Sequence, residues 1–289
     1  MADPKGTPRL SGLALFRVLA RPRGWPWWAL WALAVAGAWA LALWMAGAVA
    51  RLKSVSSFRS DLDWQAFRVC DWLTSYPALV AGALAFAVLP AVLASALLAA
   101  DRRARRLEQL VLTPGGRLGI LRAYHWQACA VALLVLAVFS PFWLMVGRAP
   151  GQLLPLDAVQ RTHQSFELAN ALRGGSGLLT DAATAYLAAA LALAASAWKG
   201  RFGWATVLGV AGTLAFYEAA ALANLTLAYG VNRGSFRWYY SPGLGFFLIE
   251  PQFTVLLWFS AAAYAAAALL VAEWALRRGA RNFDRLVTD

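Results

Sequence analysis

Residues 101–122 read DRRARRLEQLVLTPGGRLGILR. The stretch is strongly basic and lies directly between two apolar runs of bilayer-crossing length. Its first part has helical spacing. Leu107, Leu110 and Val111 recur at i, i+3 and i+4, while Arg102, Arg106 and Gln109 fall on other faces. Thr113-Pro114-Gly115-Gly116 ends the pattern, because proline lacks an N–H donor and glycine permits a sharp turn. The local prediction is a basic amphipathic helix lying on a membrane surface.

Composition extends that reading to the whole chain. Of 289 residues, 61% are hydrophobic, whereas soluble domains hold about 45–50% apolar residues. The formal net charge of +12 would point to nucleic acid in a soluble protein. Here the basic residues crowd at the ends of apolar runs, which points instead to topology and anionic headgroups. No basic-aromatic recognition module is present, so no nucleic-acid partner is expected.

Working outward from residues 101–122, apolar runs predict six spans at about 25–50, 76–100, 124–146, 178–198, 204–229 and 251–276. The expected class is an all-α polytopic membrane protein forming one transmembrane domain over 1–289. The basic leader, 1–24, is predicted to hold an interfacial helix over about 8–20. The first apolar run exceeds a signal-peptide core, so an uncleaved span is expected, with Trp25, Trp27, Trp28 and Trp31 as interface anchors. Pro90 predicts a kink in the second span. Residues 51–75 and 147–177 read as polar outer loops, the second with a possible surface helix over 156–172. Residues 231–250 contain an apolar piece too short to cross, predicted as a re-entrant or interfacial helix pair. Residues 277–289 read as a basic tail. With both termini inside, seventeen of the 26 Lys and Arg residues fall on the inner side, which favours that orientation.

At residues 101–122 the chain resembles the membrane-spanning subunits of ABC-2 type transporters. Their segment between the second and third spans has a leading acid, then Gly-Thr-Leu-Glu-x-Leu-x-x-Thr-Pro, then basic residues, an Ile and often Gly-Lys. Asp101, Leu107-Glu108, Leu110, Thr113-Pro114, Arg117 and Ile120 stand in register. Arg105 and Arg106 replace the Gly-Thr, and Tyr124 stands where the lysine would be. The resemblance implies a permease subunit of an exporter in the bacterial cytoplasmic membrane. It implies separate ABC ATPase subunits that use the ATP, and a second permease copy or homologue. The implied coupling interface is Arg102, Arg103, Arg105, Arg106, Glu108, Thr113, Pro114 and Arg117. The interfacial leader helix and the short segment before the last span are family features too.

Enzyme chemistry finds no support in the residues. No P-loop, H-E-x-x-H or G-x-S-x-G motif occurs, and Gly174-Gly175-Ser176-Gly177 lacks the P-loop lysine. Cys70 and Cys129, like His125 and His163, lie on different segments, so neither a disulfide nor a metal site is expected. Asp61 and Asp63, and the i, i+4 pair His163 and Glu167, read as solvated loop residues. No catalytic, cofactor-binding or metal residue is expected on this chain. Glu218 is the acid deepest in an apolar run, where insertion of a charge costs at least about 2.5–3.5 kcal/mol. With Tyr217 and Asn224 it forms the intramembrane polar candidate, either a substrate or proton site or a buried hydrogen bond. Asp181 and Glu273, nearer span ends, are expected to snorkel. The alternative function is accordingly an ion- or proton-coupled carrier, or a carrier accessory subunit, built around Glu218.

Overall fold

The structure is a computed structural model, and it describes residues 25–54, 76–104, 107, 110, 116–146, 168–199, 202–231, 238–241, 245–248 and 254–288. Six long helices stand among the described residues: α1 (Trp25–Ser54), α2 (Tyr76–Arg103), α3 (Gly116–Val146), α4 (Leu168–Lys199), α5 (Phe202–Val231) and α6 (Thr254–Thr288). Two strands, β1 (Trp238–Ser241) and β2 (Gly245–Leu248), lie between α5 and α6. The starts follow local chemistry. Pro26 and Pro77 occupy the first turns of α1 and α2, where their missing N–H groups cost nothing. Gly116 opens α3 at φ +64°, a left-handed conformation that glycine adopts without steric penalty. α2 runs on through Pro90 and α3 through Pro141. Neighbouring helices make such interruptions tolerable in membranes.

Among the described residues, four helical stretches are long and apolar enough to cross a membrane: Ala85–Arg103, Gly116–Pro141, Gly174–Trp198 and Trp258–Phe283. A shorter apolar stretch covers Ala29–Trp44. The outward faces carry large apolar side chains, including Leu33 and Leu43 on α1, Trp204 and Val207 on α5, and Phe259, Leu270 and Trp274 on α6. Soluble monomers rarely expose continuous apolar surface on this scale. Lipid is the solvent this surface fits, and the chain is a helical, multi-pass membrane protein.

α4 is the hub. Within its spanning window 61% of the residues are buried, against 39% in each of the other three, and α2, α3, α5 and α6 all pack on it. Its core positions are mostly alanine, with Leu187 and Leu193. Small residues let backbones approach where lipid offers no hydrophobic drive for helix association. A Cβ placed on Gly209 of α5 would lie 2.8 Å from Ala192 Cα of α4. One on Gly279 of α6 would lie 3.1 Å from Ala194 Cα. α5 and α6 thus touch α4 backbone to backbone.

Three sequence expectations change. The segment before α6 is an antiparallel hairpin rather than a helix pair, with Trp238 opposite Leu248 and Ser241 opposite Gly245. Its aromatic residues favour strand, and Pro242-Gly243-Leu244 separates the two halves. The glycine-serine run Gly174–Gly177, read as outer loop, belongs to α4. There Gly175 leaves room for the Trp258 ring, which its Cβ would meet at 2.9 Å. The basic tail is the continuation of α6, and Phe283 within it is fully buried in the main core. The leader 1–24 and residues 55–75 and 147–167 lie outside the described residues, so the predicted interfacial helix and most of the outer loops do too.

Candidate functional site at the basic end of the bundle

The end of α2, the start of α3 and the last third of α6 meet at one end of the bundle, with the segment from residue 101 joining the first two. Leu107 is fully buried in the same core as Ile120, Leu121 and Tyr124 of α3, Leu193 of α4, and Leu276 and Phe283 of α6. Leu110 packs against that core. Arg103 and Arg117 are exposed, and Arg102 is half-buried. Leu107 and Leu110 therefore face the bundle, and these arginines lie at or toward its surface.

Two polar links tie the segment down. The Tyr124 hydroxyl donates to Asp101 Oδ2 at 2.6 Å, joining the end of α2 to α3. Arg122 of α3 pairs with Glu273 of α6. Arg277, one turn further along α6, donates from Nε to the same carboxylate oxygen at 2.8 Å. Glu273 therefore does not snorkel alone but is held between two guanidiniums. Hydrogen bonds to ionised partners of this kind are the stronger class.

Deeper in the bundle the polar residues link helices. His125, with no exposed surface, donates from Nε2 to the Tyr186 carbonyl at 2.9 Å, a direction fixed because a carbonyl can only accept. Cys129 Sγ is 3.6 Å from the same nitrogen. This is not a nucleophile–base pair, since Nε2 carries its proton and serves the α4 backbone. On the other side of α4, the Tyr264 hydroxyl lies 2.9 Å from Thr184 Oγ1, which itself donates to the Thr180 carbonyl at 2.8 Å. Asp181 is buried on the same stretch of α4 rather than snorkelling from its end. The hydroxyls of Ser95 on α2 and Thr206 on α5 are 2.8 Å apart.

The intramembrane candidates fall on α5. Tyr217 and Glu218 are half-buried, and the Tyr217 ring meets Tyr264 edge-on with centroids 5.7 Å apart. Asn224 lies in the same helix. Of the coupling residues, Arg102, Arg103 and Arg117 lie at the basic end. Arg105, Arg106, Glu108, Thr113 and Pro114 lie outside the described residues, as does Val111. Among the described residues no group of His, Cys, Asp and Glu is arranged to hold a metal ion. Sequence reasoning missed the Arg122–Glu273–Arg277 triad. Its only signal was the i, i+4 spacing of Glu273 and Arg277, because Arg122 joins across 151 positions of chain. Family models, curated proteins and solved structures give no match to this chain.

Proposed function

We propose that this chain is the membrane-spanning subunit of an ABC-2 type exporter with six spans and both termini in the cytoplasm of a bacterium. Two copies, or this chain and a homologue, form the pathway. Separate ATPase subunits hydrolyse ATP and press on residues 101–122. The observation that carries the reading is the two-sidedness of that segment: Leu107 lies in the core with α3, α4 and α6, while Arg103 and Arg117 face outward. Force on the arginines would reach the core through Leu107 and the Asp101–Tyr124 bond. The spans would then redistribute between inward-open and outward-open packings, the ATPase supplying the difference in affinity for the two states. The register from Asp101 to Pro114 supports the same assignment.

Co-purification with a candidate ATPase tests it. Wild type is expected to retain the partner. Arg102/Arg105/Arg106→Glu and Glu108→Arg are expected to lose it while eluting as folded protein. A folded wild-type chain that captures no ATPase in detergent or nanodiscs sinks the assignment. A second reading, a proton- or ion-coupled carrier, rests on Glu218, a half-buried acid within the apolar helix α5. It requires uptake driven by a pH gradient in proteoliposomes without ATPase, abolished by Glu218→Gln.

A further inference from the structure

The Arg122–Glu273–Arg277 triad has more positive charge than its own pairing uses. Both guanidiniums bond the same Glu273 oxygen, Oε1, so two cations from adjacent helices share one carboxylate, and the group has a net charge of +1. A guanidinium has five N–H donors, and each of these commits one to Glu273. Neither side chain is enclosed: Arg122 is 39% exposed and Arg277 65%.

The surroundings are those of a bilayer boundary. Trp126 stands one turn from Arg122 on α3, 41% exposed. Its ring is braced edge-on by Tyr186 of α4, centroids 5.8 Å apart. Trp274 stands one turn from Arg277 and Arg278 on α6, 65% exposed. Each helix thus places an outward tryptophan just inside an outward arginine. Tryptophan favours the headgroup level of a membrane, and a guanidinium matches phosphate with two parallel N–H donors.

We propose that this α3–α6 seam binds the phosphate of an anionic phospholipid from the surrounding bilayer. Arg122 and Arg277 hold the phosphate, and Trp126 and Trp274 flank the glycerol and upper acyl chains. Glu273 limits the affinity by competing for the same donors. The lipid is the occupant because both arginines are exposed one turn from exposed tryptophans on two membrane-spanning helices. Basic pockets between transmembrane helices take anionic headgroups in this way. The inference needs only a membrane-embedded chain and is independent of any ATPase.

The test is lipid retention by the purified full-length chain, read by native mass spectrometry. Phosphatidylglycerol would be titrated against phosphatidylcholine in mixed micelles. Wild type should retain phosphatidylglycerol in preference. Arg122→Gln and Arg277→Gln should each lower its apparent affinity about five-fold, the scale of one basic residue at a membrane surface. Glu273→Gln should raise it, an outcome that a purely structural role for the triad does not give. Arg103→Gln, an exposed arginine at the end of α2 and outside the seam, should stay within about two-fold of wild type on the same scale. If Arg122→Gln does not fold, Arg277→Gln, at the more exposed arginine, decides. The proposal fails if Arg103→Gln matters as much as the seam substitutions, if Glu273→Gln weakens retention, or if inorganic phosphate displaces the lipid as well as phosphatidylglycerol does.

Discussion

At the scale of single residues, one hydrogen bond ties the end of α2 to α3: the Tyr124 hydroxyl, on a side chain with 1% exposure, donates to Asp101 Oδ2. A double-mutant cycle of Tyr124→Phe and Asp101→Asn, followed by unfolding in mixed micelles, should return a coupling of about 1.5–3 kcal/mol, the range for hydrogen bonds to charged groups. A coupling near zero would make the contact incidental. None of this was readable from the sequence beyond the register itself, since the pair depends on how α2 and α3 meet. The Arg122–Glu273 pairing was hidden for the same reason. Both residues were visible as charges near span ends, but nothing local says that α3 and α6 are neighbours.

Among the helices, the contacts of α4 rest on absent side chains. Gly209→Leu would drive its Cβ into the Ala192 backbone, which a rotamer change cannot relieve. Forced separation of α4 and α5 should lower stability by roughly 1–3 kcal/mol or more. Gly37→Leu on α1, whose Cβ would meet nothing within 4 Å, should be neutral or slightly stabilising through helix propensity. Thermal unfolding of the two variants side by side checks the pair, and equal effects would refute close α4–α5 packing. The helices themselves were legible, because runs of more than 20 apolar residues admit few other structures. Their ends were not. Gly174–Gly177 was read as loop because glycine and serine signal turns in water, whereas the same residues in α4 make room for Trp258. The sequence pattern places residues 116–122 in the basic stretch ahead of the third span. They form the opening turns of α3, with Ile120 and Leu121 fully buried. The hairpin before α6 was missed because length excluded a span but left strand and short helix undecided. The interior polar row is absent from the sequence reading, because Tyr264 joins Thr184 from 80 positions away.

For the molecule as a whole, orientation can be measured directly. In a background lacking Cys70 and Cys129, single cysteines at Ser11, Ser60, Ser165, Ser235 and Thr288 would be labelled with an impermeant maleimide on intact cells. With six spans and inner termini, Ser60, Ser165 and Ser235 should react, while Ser11 and Thr288 should react only after lysis. Labelling of Ser11 in intact cells would reverse the topology. The wild-type Cys129, buried against His125, should stay unlabelled even after lysis. Charge distribution is what predicts this orientation, because lysine and arginine bias reflects how chains insert rather than how they fold. The burial of Phe283 in the core that holds Leu107, Ile120 and Leu121 bears on the order of events during synthesis. α6 is the last of the described helices to leave the ribosome, and its final turns complete the surroundings of residues emitted far earlier. The α2–α3 end of the bundle therefore stays an open apolar face until translation has passed Phe283. A chain stopped after Leu276 would have inserted every apolar run yet would present that face permanently to chaperones and proteases.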